Sequence, residues 1–293
     1  MSNIGFHIAK FWMKFLSIHP YWLLYLKSDV YCFLLYHVFR YRRKVVRQNL
    51  LRSFPDKSAK EIKTIERHFY RNLCDLFVEA PKMMCMGPEG YRKRITLVNT
   101  EVIAELEAKQ KNIFFAIPHS GNWEWFGKMV PELSNNKGMA IYKMVQNPVF
   151  EQLMLYMRTK DSDLEMVESN TVLRRLAQLR DTRTAVLMMA DQTSHGLATD
   201  YWTEFLHQDT CWFTGIERIA KKLDYATIFV SMVRKGRGCY EVAFDLVADD
   251  PMALANGEVL ERYVRRVERF IEDNPDNWLW SHRRWKHERP EKA

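Results

Sequence analysis

The segment Pro118-His119-Ser120-Gly121-Asn122-Trp123-Glu124-Trp125 brings an imidazole, a hydroxyl, an amide and a carboxylate close together in the chain. Four residues separate His119 from Glu124. On an uninterrupted helix, side chains five apart do not share a face. Across a strand end, a glycine turn and a first helical turn, the carboxylate is expected to fold back towards the imidazole. Glu124 near a helix start is favoured by the macrodipole and stays ionised. An ionised carboxylate that accepts from one ring nitrogen fixes the tautomer and leaves the other nitrogen as a base. Such a dyad suits removal of a proton from a hydroxyl or amine as it attacks a carbonyl.

Other readings of the segment stand beside this one. A His-x4-Glu pair arises often by chance and then serves structure alone. Metal ligation has little support, because no third His or Cys lies at ligand spacing and the zincin pattern is absent. Ser120 as a nucleophile lacks the Gly-x-Ser-x-Gly turn, since Pro118 and His119 precede it. Position after a strand, with Gly121 and two tryptophans alongside, favours the base.

The elements that must position these groups follow from periodicity. Asn112 to Ile117 is a continuous apolar run ending at Pro118, the pattern of a strand buried on both faces. Similar runs occupy Met139 to Val145, Ala185 to Ala190 and Thr227 to Val233. Helical patterns lie between them, as at Val172, Leu176 and Leu179, or Ile216, Ile219, Ala220 and Leu223. Strands separated by helices predict an α/β fold whose mostly parallel sheet is covered by helices. Ligands of such sheets bind at the carboxyl ends of the strands, where His119 falls. Tyr240 to Val247 alternates more openly and reads as an edge strand, and Leu254 to Ile271 as one long helix.

Residues 1–88 read as helical throughout and are set apart from an 89–293 α/β region. Ser58 and Glu61 make a capping box at the head of a helix whose Ile62, Ile65, Phe69, Leu73, Leu76 and Phe77 recur at helical spacing and are expected to pack on the main domain. Leu51 to Met86 is expected to be continuous helix. The opening stretch is unusually aromatic, with Phe11, Trp12, Phe15 and Tyr21 to Leu26, and the bases Arg40, Arg42, Arg43, Lys44 and Arg47 follow it. This suits a helix lying on an anionic membrane face. A core helix with a solvated basic end fits equally, and a single spanning helix is opposed by Lys27 and Asp29.

The 293 residues suffice for a sizeable core, and 47% hydrophobic with 27% charged residues excludes a disordered chain. A mean hydropathy of −0.36 excludes a multi-span membrane protein. The formal charge of +8 favours anionic partners. A non-enzymatic nucleic-acid or membrane-surface protein built on that charge lacks any RRM, KH or helix-turn-helix signature. The five cysteines, Cys32, Cys74, Cys85, Cys211 and Cys239, contain no C-x-x-C and read as reduced thiols. No secretory leader is expected from the opening residues.

With Tyr41-Arg42-Arg43-Lys44-Val45-Val46-Arg47-Gln48-Asn49-Leu50, Ser53-Phe54-Pro55, His119 to Glu124, Ala190-Asp191-Gln192, Trp212-Phe213-Thr214-Gly215 and Trp278 to Lys286 in hand, the chain resembles the bacterial lipid A late acyltransferases of the lysophospholipid acyltransferase superfamily. The resemblance implies transfer of a fatty acyl group from a thioester, on acyl carrier protein or coenzyme A, to a hydroxyl of a phosphorylated membrane lipid. It implies His119 as general base, Glu124 as its partner, no covalent acyl-enzyme and no cofactor or metal. It also implies a monomer at the cytoplasmic face of the inner membrane. Backbone amides around Gly121 and Asn122 are candidate oxyanion donors. Tyr142 and Lys143 end a strand as a site wall would. Arg158 matches an arginine that the family uses near substrate phosphate, with a plain surface charge as the alternative. Asp191 and Gln192 follow a buried strand, which favours a site role over loop hydrogen bonding. The family's Asp-Gln-Asp is replaced at its end by Thr193-Ser194-His195-Gly196. His282, Arg283 and Arg284 either contact phosphate or lock the tail onto the fold.

Overall fold

The computed structural model describes residues 2–193 and 201–289, so Ser194, His195 and Gly196 fall outside the described residues. The chain opens with α1 (Ser2–Ile18), α2 (Tyr21–Phe33), a π-helical turn (Leu34–Val38), α3 (Arg43–Ser53), α4 (Ala59–Glu79) and α5 (Pro88–Arg92). Then come β1 (Ile95–Val98), α6 (Glu101–Ala108), β2 (Asn112–Ile117), α7 (Trp123–Leu133), β3 (Lys137–Tyr142), α8 (Pro148–Thr159), β4 (Glu165–Glu168), α9 (Val172–Gln178) and β5 (Thr184–Met189). The hairpin β6 (Tyr201–Phe205) and β7 (Gln208–Trp212) precedes α10 (Gly215–Leu223), β8 (Tyr225–Gly236), β9 (Cys239–Ala248) and α11 (Glu258–Asp273).

Seven strands form one sheet in the order β1-β9-β8-β2-β5-β3-β4. Every neighbouring pair is parallel except β8 with β9. The sheet is therefore mostly parallel and covered by helices, as periodicity predicts. β2 lies at its centre, and its alternate side chains enter two cores. Phe114 and Ala116 join the face shared with Val46, Phe69, Val264 and Trp278. Ile113, Phe115 and Ile117 join the face shared with Trp125, Phe126 and Leu187. Double burial explains why β2 carries no polar alternation.

Three expectations are corrected. β9 is an interior strand, because the short β1 pairs along its outer side. The stretch from Leu51 is not one helix. Pro55 disfavours helical geometry at Phe54, α3 ends at Ser53, and α4 starts afresh from Ser58 with the capping box formed to Glu61. Phe77 does not pack on the main domain but stands 62% exposed. At that end of α4 the buried positions pass to Asp75, Val78 and Glu79, on the side that α2 covers.

The N-terminal helices are tied to the sheet by polar as well as apolar contacts. Lys82 donates to the carbonyls of Ser17 (2.8 Å) and His19 (2.6 Å), satisfying the end of α1. Ser28 on α2 donates to buried Asp75 at 2.6 Å. Outward, α1 and α2 expose Phe11, Trp12, Phe15, Trp22, Leu26 and Val30. Among the described residues no helix is long and apolar enough to cross a membrane.

Candidate active site

His119 follows β2 directly, and the chain then reverses through Gly121, whose φ is +57°. A Cβ there would lie 2.7 Å from Met232 Cγ and 2.8 Å from the Met232 carbonyl oxygen, so only glycine fits both the conformation and the space. Gly121→Ala is expected to lower the melting temperature by several degrees, reflecting about 1–3 kcal/mol of strain, in a thermal melt. Asn122 then caps α7, its Oδ1 accepting from the Trp125 N–H at 3.1 Å, while its Nδ2 donates to Glu79 at 2.8 Å.

The carboxylate that meets the imidazole is Asp191, not Glu124. His119 Nδ1 lies 2.6 Å from Asp191 Oδ1, and the His119 backbone N–H donates to Oδ2 at 2.9 Å. Trp278 Nε1 donates to the same Oδ2 at 2.7 Å. Asp191 is buried just beyond β5, the strand beside β2. Burial alone would push its carboxyl up. The facing imidazole, with hydrogen bonds from His119 and Trp278, outweighs burial and holds it below the usual carboxylate range. A proton on Nδ1 shared with this carboxylate leaves Nε2 to accept one.

Glu124 turns the other way. Its oxygens accept from Arg158 Nε at 2.8 Å and Nη2 at 2.7 Å, a bidentate pair across α7 and α8. Lys128, one turn on, donates to the Arg158 carbonyl at 3.3 Å, so α7 holds that residue at both ends. Burial lowers the Lys128 pKa to about 8. The physical reason for the separation is Trp123. Its ring meets His119 edge-on at 5.3 Å. On one side Trp123 and His119 line a narrow cavity of about 30 Å³ with Phe69, Leu73, Leu76 and Trp278, and with Asn72, Arg234, Asp276 and Asn277 as its polar side. On its other side Trp123 and Glu124 line a second cavity of about 30 Å³, with Tyr142, Arg158 and Met166.

The other sequence-derived residues divide accordingly. Gly121 lines the His119 cavity; Tyr142 ends β3 beside Glu124 and Arg158, and Lys143 is exposed beyond it. Gln192 is half-buried after Asp191. Ser120 is buried, in an isolated antiparallel bridge with Trp278. The closing segment locks onto the fold. Asn49 donates to the carbonyls of Trp280 (2.9 Å) and His282 (3.0 Å), and Thr193 to that of Arg284 at 2.7 Å. Arg284 is buried with its guanidinium 4.4 Å over Trp212, and burial lowers its pKa to about 10. Burial likewise pushes His282 down to about 4, while Arg283 is exposed.

Two residues escaped sequence reasoning. Trp278 supplies a donor to Asp191, and its signal was an indole in a motif otherwise read as a tail. Glu79 is a fully buried carboxylate beneath the turn, and its signal was an acid at the end of an amphipathic helix.

The arrangement is a carboxylate-held imidazole at a strand's carboxyl end, facing a cavity lined by both apolar and polar side chains. A family described as bacterial lipid A biosynthesis acyltransferase matches residues 2–287. A protein of Shigella flexneri named lipid A biosynthesis acyltransferase 2 is 26% identical over 112 residues, 38% of this chain. That match spans about a third of the relative's length, 35%. Since the family match runs from α1 through the His119 turn to the closing segment, the chain belongs to the bacterial lipid A biosynthesis acyltransferase family.

Proposed function

We propose that the chain moves a fatty acyl group from a thioester, borne by acyl carrier protein or coenzyme A, to a hydroxyl of a phosphorylated membrane lipid of the lipid A precursor type. The observation that carries this reading is the His119–Asp191 pair beside a cavity walled by Phe69, Leu73, Leu76, Trp123 and Trp278. His119 Nε2 takes the hydroxyl proton as that oxygen bonds to the thioester carbon. Amides around Gly121 and Asn122, at the start of α7, stabilise the oxyanion. The C–S bond then breaks, and the thiolate leaves with the proton from His119. A thioester is already activated, so orientation, a base and charge stabilisation suffice without a cofactor or an acyl-enzyme.

In this scheme Asp191 orients the base and Glu124 positions Arg158. The bidentate pair uses Nε and Nη2 of Arg158, which leaves Nη1 for an acceptor phosphate on the side of Tyr142, with Lys143 and Gln192 as further candidate contacts. Glu124→Gln is expected to destabilise the fold by about 2 kcal/mol and to lower turnover less than Asp191→Asn does. Denaturant melts with steady-state kinetics check this, and an equal loss of turnover would return Glu124 to the role of histidine partner.

The exposed apolar face of α1 and α2, followed by Arg40, Arg42 and Lys44, supports docking on a membrane surface, which in this reading is the cytoplasmic face of the inner membrane met by a monomer. Lipid mass spectrometry of a deletion strain beside its complemented parent tests the whole reading. A lipid A species lacking one acyl chain in the deletion is the expected result. Loss from a lysophospholipid, aminolipid or glycolipid pool would reassign the acceptor, and no lipid change would overturn the reading.

A further inference from the structure

Glu79 is the last residue of α4, and no part of it reaches solvent. Its carboxylate collects three donors from three other places in the fold. Tyr25 on α2 donates to Oε1 at 3.0 Å. Asn122, the cap of α7, donates to Oε2 at 2.8 Å, and Tyr240 on β9 donates to Oε2 at 2.7 Å. Burial pushes this carboxyl up against the pull of those donors, with Asp75 adding in the same direction. A buried carboxylate that lost one donor would stand underpaired, so each donor adds to the order of the others without being required by them.

The helix that supplies Tyr25 has an unusual division of faces. Its inner side presents hydroxyls to acids one turn apart on α4, Tyr25 to Glu79 and Ser28 to Asp75. Its outer side presents Trp22, Leu26 and Val30 to solvent. Tyr25 is closely held: a Cβ at Gly238, whose φ is +65°, would lie 2.3 Å from its hydroxyl oxygen. The hydrogen bonds thus run without a break from α2 through Glu79 and Asn122 to the turn that carries His119.

We propose that the Tyr25–Glu79–Asn122 hydrogen-bond chain couples seating of α2 on a lipid surface to the conformation of the His119–Trp123 turn, with Glu79 as the positioning residue. This rests on the reading of the α1–α2 face as a membrane contact. Coupling through discrete hydrogen bonds gives the ordered turn its full population only when the protein is docked.

The test is amide exchange followed by mass spectrometry, with and without vesicles of phosphatidylethanolamine and phosphatidylglycerol. In the wild-type protein, vesicles are expected to slow exchange in α2 and, about fivefold or more, in the 119–125 turn. Tyr25→Phe is expected to keep the slowing in α2 and lose it in the turn. Tyr240→Phe removes a donor that does not come from α2, so it should speed exchange in the turn while leaving the vesicle response in place. An equal turn response in Tyr25→Phe and wild type, or no response in wild type despite protection of α2, overturns the coupling alone. Failure of the wild-type protein to sediment with the vesicles sinks the docking reading, and the coupling with it.

Discussion

His119→Ala is expected to lower acyl transfer by about three orders of magnitude or more, while the melting temperature and vesicle sedimentation stay near those of the wild type. The argument is local. The imidazole lines the cavity with its Nδ1 held by a carboxylate, so in the proposed scheme its removal takes away the proton acceptor for the attacking hydroxyl. The side chain is 16% exposed, and alanine there leaves a gap open to the cavity rather than a buried void. Release of thiol from an acyl donor, followed together with the acylated lipid, measures the effect. A rate within tenfold of wild type would remove His119 from the chemistry.

Asp191→Asn is expected to cost about two to four orders of magnitude in turnover with little change in KM. The amide has nearly the shape of the carboxylate, yet it cannot accept at both oxygens. Asp191 accepts the Nδ1 contact at Oδ1, and the His119 backbone N–H and the Trp278 indole at Oδ2. An amide that keeps its oxygen towards the two Oδ2 donors turns an NH2 on the imidazole and forces the opposite tautomer. Nε2 then carries the proton it should take. Replacing a buried carboxylate that gathers charge-assisted bonds also costs about 1–3 kcal/mol of stability. Single-turnover rates measured over pH separate the two effects. A variant that is destabilised but fully active would make Asp191 a structural anchor only.

The two predictions mark where sequence reasoning succeeded and where it stopped. The alternation of apolar runs with helical spacing was sufficient for the sheet, and Asn112–Ile117 matches β2 residue for residue. Ser58 with Glu61 marked the head of α4 because a capping box is local chemistry. The edge strands β1 and β4 are only four residues long, and β6 and β7 pair only with each other; none of them carries a long apolar run. At the site, the sequence singles out His119, Glu124, Arg158 and Asp191, and the structure pairs them as His119 with Asp191 and Glu124 with Arg158. That pairing was not legible. The nearest acid in the chain was matched to the imidazole, whereas the pairing depends on the register of β2 with β5, which sets Asp191, 72 residues further along the chain, beside His119. Trp123 then separates Glu124 from the histidine, and no spacing rule encodes the direction of one indole.

The donor that Trp278 gives to Asp191 has a consequence for biosynthesis. The strands and turn that hold the imidazole are synthesised early, and domains begin to fold from the amino end while the ribosome is still translating. The acid beside that imidazole acquires its indole only when the segment around Trp278 has emerged and the bridge between Ser120 and Trp278 closes. A nascent chain that has not yet reached Trp278 therefore carries the imidazole beside an acid that lacks one of its donors.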